Sequence, residues 1–217
     1  MKLFKYIDHT LLKADASIDA IKNLCHEAIE YEFKSVCVNT CNVSLCKKEL
    51  ANSEILVCSV IGFPLGAMCT EAKVFETNMA LSRGADEIDM VINIGRLKDK
   101  DYTYVINEIK EIKAACGYHV LKVIIETCLL TDEEIVKACE CVMVAKADFV
   151  KTSTGFSTNG ATFEAVKLMK DTVKDKCKIK AAGGVRSQED MLKMISLGAD
   201  RIGTSSGTKL VNMNNEN

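Results

Sequence analysis

The feature that most restricts the fold is an alternation that runs the length of the chain. Short apolar runs of strand character (residues 6–9, 35–39, 56–62, 87–92, 121–126, 149–152, 179–182 and 201–204) are separated by amphipathic stretches (18–31, 43–51, 71–82, 102–115, 132–146, 162–173 and 188–196). In 132–146, Ile135, Cys139 and Val142 share one face, and Thr131 with Glu134 makes a capping box at the start. Ser187 with Asp190 offers a similar start to the last stretch. One junction recurs: Leu81-Ser82-Arg83-Gly84-Ala85-Asp86-Glu87-Ile88 matches Ile195-Ser196-Leu197-Gly198-Ala199-Asp200-Arg201-Ile202, and Val144-Ala145-Lys146-Ala147-Asp148-Phe149-Val150 is a looser third copy. Gly84 and Gly198 suit the left-handed residue that stops a helix. Strand–helix alternation this regular calls for a parallel sheet, because parallel neighbours need a crossover.

About eight strands fit a closed (β/α)8 TIM barrel, one domain over residues 1–217 with short loops. An open doubly wound sheet is the alternative. It prefers G-x-G-x-x-G after the first strand, where this chain has Thr10-Leu11-Leu12. Residues 211–217 are polar and read as a loose tail.

A net charge of −2 with no basic run argues against nucleic acid as a partner. No stretch is long and apolar enough for a membrane span, and the first 13 residues lack the apolar core of a signal peptide, so a cytoplasmic protein is expected. Eleven cysteines lie mostly in apolar segments, which fits a reducing compartment with cysteine as a small apolar filler. There is no C-x-x-C pair, and no metal site is expected.

In such a barrel the site lies at the C-terminal strand ends. In order these are Asp8, Cys37 with Asn39, Gly62, Asp89, Glu126, Lys151, Lys180 and Ser205. Lys151 ends a strand among apolar neighbours. An ammonium is costly to desolvate there, and a neutral amine condenses with aldehydes. The other reading is a lysine that snorkels to solvent. Lys180 lies on the next strand and faces either Lys151 inside the barrel or solvent at a loop. Two ammonium groups side by side repel, so one gives up its proton more easily. Asp89, in mid-strand, either pairs with a lysine and moves protons through a water, or forms a purely structural ion pair. Gly183-Gly184 and Gly203-Thr204-Ser205-Ser206-Gly207 follow consecutive strands and could cradle a phosphate; a tight turn alone could also explain the glycines. Asp8 is a candidate to steady the lysine pair. His9 reads as a hydrogen-bonded strand-end histidine, and the cysteines as packing residues.

These residues resemble the deoxyribose-phosphate aldolases, the Schiff-base aldolases of deoxyribonucleoside breakdown. The resemblance rests on Tyr6-Ile7-Asp8-His9-Thr10-Leu11-Leu12, Ser35-Val36-Cys37-Val38-Asn39, Val60-Ile61-Gly62-Phe63-Pro64-Leu65-Gly66, Glu87-Ile88-Asp89-Met90-Val91-Ile92-Asn93, Lys122-Val123-Ile124-Ile125-Glu126-Thr127, Phe149-Val150-Lys151-Thr152-Ser153-Thr154-Gly155-Phe156, Lys180-Ala181-Ala182-Gly183-Gly184-Val185-Arg186 and Arg201-Ile202-Gly203-Thr204-Ser205-Ser206-Gly207. It implies a barrel lyase that reversibly cleaves 2-deoxy-D-ribose 5-phosphate to D-glyceraldehyde 3-phosphate and acetaldehyde. It implies Lys151 as the Schiff-base lysine, Lys180 as the second lysine and Asp89 as the proton-transfer carboxylate. It places the substrate phosphate at Gly155, Gly183, Gly184, Gly203 and Ser205, with Ser206 beside them. It implies no cofactor, since the iminium is the electron sink, and a homodimer. Thr40 and Phe156 depart from what some relatives carry, proline and lysine respectively.

Overall fold

The computed structural model describes residues 2–212. Eight strands, β1 (Ile7–Leu11), β2 (Ser35–Asn39), β3 (Leu56–Ile61), β4 (Glu87–Val91), β5 (Val120–Ile124), β6 (Phe149–Lys151), β7 (Lys178–Ala182) and β8 (Arg201–Thr204), pair in sequence order, and β8 returns to β1 to close a barrel. Every pairing is parallel. The crossovers are α1 (Ile18–Glu30), α2 (Val43–Glu49), α3 (Thr70–Ser82), α4 (Ile94–Lys98), α5 (Tyr102–Cys116), α6 (Asp132–Val144), α7 (Phe163–Val173) and α8 (Gln188–Ser196), and α9 (Gly207–Asn212) follows β8. No helix among the described residues is long and apolar enough to cross a membrane. All eleven cysteines are free.

The repeated junction has a physical reason. Gly84 and Gly198 take φ of 102° and 109°, and in the third copy Lys146 takes φ 59°. The aspartate that follows accepts the first free N–H of the preceding strand: Asp86 from Val57, Asp148 from Leu121 and Asp200 from Ile179, at 2.8–2.9 Å. Each copy ties the start of one strand to the start of the next. The helix starts are fixed as locally. Thr131 and Glu134 complete a capping box, and Ser187 accepts from Asp190 N–H.

The two faces of the sheet differ in chemistry. Successive strand residues point to opposite faces. Outward residues such as Val36, Val57, Ile88, Leu121, Val123, Val150, Ile179 and Ile202 are apolar and belong to the main core between sheet and helices. The inward positions carry Asp8, Ser35, Glu87, Asp89, Lys122, Lys151, Lys180 and Arg201, all buried. Barrels of this kind usually fill their interior with branched aliphatic side chains. Here the apolar residues inside are fewer: a small cluster of Leu12, Cys37, Cys58 and Val60, with Val91, Ile124, Phe149 and Ala182 in phase with the charged positions.

Some boundaries differ from the sequence reading. The first strand is shifted to 7–11, so Asp8 sits near its start, one layer below the strand ends, rather than at its C-terminal end. Thr10 and Leu11, expected just after the first strand, continue it. The fifth strand ends at Ile124, because Glu126 turns into the left-handed region. Two short helices, α4 and α9, were not anticipated. Val211 and Asn212 are the end of α9 rather than part of a loose tail; Leu210 beside them is fully buried. The rest of that stretch, 213–217, lies outside the described residues.

Candidate active site

Register decides which inward side chains meet. Lys151 on β6 pairs with Lys180 on β7, and Asp89 on β4 pairs with Lys122 on β5. Asp89 is the hub. Its Oδ2 accepts from Lys151 Nζ and Lys180 Nζ, each at 2.8 Å. Its Oδ1 accepts from Lys122 Nζ at 2.9 Å and from the Cys58 thiol at 3.1 Å. Below it, Lys180 pairs with Asp8, and Arg201 bridges Asp8 and Glu87. Lys122 also reaches Glu87 at 2.6 Å. Ser35 Oγ donates to Asp8 at 2.7 Å.

The electrostatics follow from who faces whom. Burial alone would push the Asp89 carboxyl up, but Lys122, Lys151 and Lys180 outweigh it and hold it well below the usual carboxylate range. Asp8 behaves the same way: burial raises it, while Arg201, Lys180 and Lys122 pull it further down. Burial disfavours the Lys180 ammonium, yet Asp8 and Asp89 more than compensate and its pKa rises above that of an ordinary lysine. Three carboxylates thus face four basic side chains, Lys122, Lys151, Lys180 and Arg201. Lys122 contacts three of these carboxylates and Lys180 two; Lys151 contacts only Asp89.

Lys151 is also the member of the cluster that lines a cavity of about 460 Å³ at the C-terminal face. Every residue expected to cradle a phosphate lines that cavity: Gly155, Gly183, Gly184, Gly203, Ser205 and Ser206. Among the described residues, the N–H groups of Gly155, Gly183, Gly184 and Ser205 have no acceptor in the protein. Ser206 differs, because its N–H already donates to Thr204 Oγ1 at 3.0 Å, leaving its hydroxyl. Gly183 has φ 79°, and a β-carbon on it would lie 3.0 Å from Gly160 Cα, so the turn requires glycine. Gly203 lies inside β8 rather than after it. A β-carbon there would lie 3.1 Å from Lys180 Cε, so this glycine makes room for that side chain.

Other expected residues fall elsewhere. His9 points outward and bonds Glu27 at 2.6 Å, in keeping with a hydrogen-bonded histidine. Cys37, Cys58 and Asp89 bring three possible ligand atoms within 4.8 Å of one another. Three lysine amines converge on the same carboxylate, which makes this a poor place for a cation.

Several site residues escaped the sequence reading. Lys122, Glu87 and Arg201 belong to the axis cluster, and Cys58 is a donor to Asp89 as well as a packing residue. A signal was available: Glu87 and Asp89 share a face at a spacing of two, and Lys122 stands alone between Leu121 and Val123. Lys13 and Arg186 add positive charge to the cavity lining.

Comparison with known proteins adds a separate finding. A family model described as DeoC/LacD family aldolase matches residues 2–210. A deoxyribose-phosphate aldolase of Finegoldia magna is 65% identical over 97% of this chain and 99% of its own length. One from Clostridium perfringens is 60% identical over 94% and 92%. Among solved structures, the deoxyribose phosphate aldolase of Aeropyrum pernix, described as tetrameric, superposes with a TM-score of 0.89 at 34% identity over 96% of this chain and 88% of that one.

Proposed function

The chain belongs to the DeoC/LacD family of aldolases, and from that premise we propose that it is a Schiff-base lyase cleaving 2-deoxy-D-ribose 5-phosphate reversibly to D-glyceraldehyde 3-phosphate and acetaldehyde. The observation that carries the reading is the position of Lys151. Alone among the amines of the axis cluster it opens onto the cavity, and it has the fewest carboxylate partners. An amine placed there can reach a carbonyl carbon that enters the cavity.

Neutral Lys151 attacks C1 of the open-chain sugar phosphate, and loss of water leaves an iminium. The C2–C3 bond breaks, its electron pair moves to the iminium, and the C3 hydroxyl gives up its proton. A water held by Asp89 and Lys180 is the acceptor in this scheme. Asp89 stays an anion in the resting protein, so it orients that water and its lysine neighbours. D-Glyceraldehyde 3-phosphate leaves. The enamine is protonated at C2, and hydrolysis releases acetaldehyde and frees Lys151. The free N–H groups of Gly155, Gly183, Gly184 and Ser205 suit the phosphate, with Gly203 and Ser206 beside them, and hold the sugar in register with Lys151. No organic cofactor or metal enters this scheme. A cytoplasmic homodimer remains part of the proposal, in one domain over residues 1–217; the free cysteines suit a reducing compartment.

Borohydride reduction in the presence of acetaldehyde tests the assignment. It should leave a stable ethyl group on Lys151, located by peptide mapping. An ethyl group on any other lysine would overturn it.

A further inference from the structure

Two buried carboxylates, Glu108 and Glu126, stand outside the axis cluster, and of these Glu108 is paired with Lys73. Glu126, just past β5, is 2% exposed and makes no ion pair among the described residues. Its backbone is left-handed, with φ 57° and ψ 65°. Side chains with a β-carbon rarely adopt that conformation, and a carboxylate is rarely buried without a cation. Both features persist only where the surroundings hold them in place.

Here the partner is the loop after β6. Glu126 accepts from Thr154 N–H at 3.2 Å and from the Thr154 hydroxyl through Oε2. Thr154 Oγ1 in turn accepts from Phe156 N–H at 3.0 Å. Between them lies Gly155, with φ 83° and an N–H that has no acceptor among the described residues. Thr127 N–H donates to Thr152 O at 2.9 Å, which brings the two loops together backbone to backbone. One carboxylate therefore determines the shape of the turn that presents a free N–H to the cavity. Its own oxygens are turned onto Thr154.

We infer that Glu126 is a positioning residue for the substrate's distal anionic group: it locks Thr154, and the locked 154–156 turn aims the Gly155 N–H at the phosphate. The inference deepens the phosphosugar reading and rests on it. Glu126 touches none of the reacting atoms in this account, so it governs where the phosphate sits rather than how the C–C bond breaks.

Steady-state kinetics with 2-deoxyribose 5-phosphate and with unphosphorylated 2-deoxyribose test this, with inorganic phosphate as a competing ligand. Glu126→Gln keeps the size and loses the charge. Thr154→Val keeps the shape and loses the hydroxyl. Each should raise KM for the phosphorylated sugar and the inhibition constant of inorganic phosphate by about tenfold, the loss of one charge-assisted hydrogen bond. The loss should be confined to the phosphorylated substrate, with kcat/KM for 2-deoxyribose falling less than about twofold. The double variant should be no worse than either single one. Equal losses on both sugars, or unchanged phosphate inhibition in folded variants, would overturn the assignment. Wild-type protein that shows no preference for the phosphorylated sugar would overturn the phosphosugar reading itself, and Glu126 with it. A wild-type preference that the Glu126 and Thr154 variants retain would overturn Glu126 alone.

Discussion

Lys122 on the barrel axis and Lys73 on the outside of the barrel are both fully buried, yet their pKa values move in opposite directions. For each, desolvation works against the ammonium. Lys122 has Asp89, Glu87 and Asp8 around it, and its pKa ends well above the ordinary value. Lys73 lies on α3 with Glu108 of α5 at 2.6 Å and the Val91 carbonyl at 2.8 Å, and its pKa ends below the ordinary value. Glu108 mirrors it: burial lifts its carboxyl, and Lys73 only partly offsets this. A buried charge is secure when several opposite charges share its space, and marginal when it has one. Lys151 shares the axis with those amines, yet Asp89 is its one carboxylate and it alone of them faces the cavity.

The comparison can be broken most sharply at Lys151. Lys151→Met should lower cleavage by about 10⁴-fold or more and abolish ethyl trapping by borohydride. Retained turnover would move the chemistry to another amine. Lys180→Leu removes a charged neighbour and one of the two groups proposed to hold the water, and should cost about 10³-fold in kcat at neutral pH. Near-normal turnover would make the second lysine incidental.

Outside the barrel the expected loss is in stability instead. Lys73→Met leaves Glu108 buried without its cation and should cost about 3 kcal/mol by denaturant unfolding, with kcat changed less than about twofold. Lys73→Met/Glu108→Leu together should recover most of that loss. If the double variant is as unstable as the single one, the pair is more than a marginal ion pair.

The smallest effect is in the pH dependence. Glu108 has a raised folded pKa, so its contribution is fully present below the ordinary glutamate value of 4.5 and is lost as pH rises through the raised value. Asp8 and Asp89 have depressed folded pKa values. Their contribution is present above the ordinary aspartate value of 3.8 and is lost as pH falls below it. Unfolding free energies from pH 4 upward should therefore show a shallow decline just above 4.5 that the double variant lacks, at most about 1.4 kcal/mol per pH unit. An identical profile in both proteins would remove Glu108 from the account.

The alternation of apolar strand and amphipathic helix made the barrel readable, because period two and period 3.6 are local properties. Lys151, Lys180 and Asp89 were readable because each interrupts an apolar strand on its inward face, and consecutive strands of a barrel are neighbours. The glycines after β6 and β7 were readable as turn residues, and Gly155, Gly183 and Gly184 all take positive φ. The depth of Asp8 was not, because it depends on a register with β8 that no local pattern sets. Nor was Lys73 opposite Glu108, which a helix pattern places no better on one face than on the next.

By itself the sequence determined the periodicities, the turn chemistry and the presence of lone charges in apolar strands, all of which arise from residues a few positions apart. Only the closed tertiary structure decided which charges face one another. Arg201 and Asp8 are separated by 193 positions and meet because the last strand pairs with the first. The number of partners around a buried amine sets its protonation, since desolvation and Coulomb attraction both depend on what fills the surrounding few ångströms.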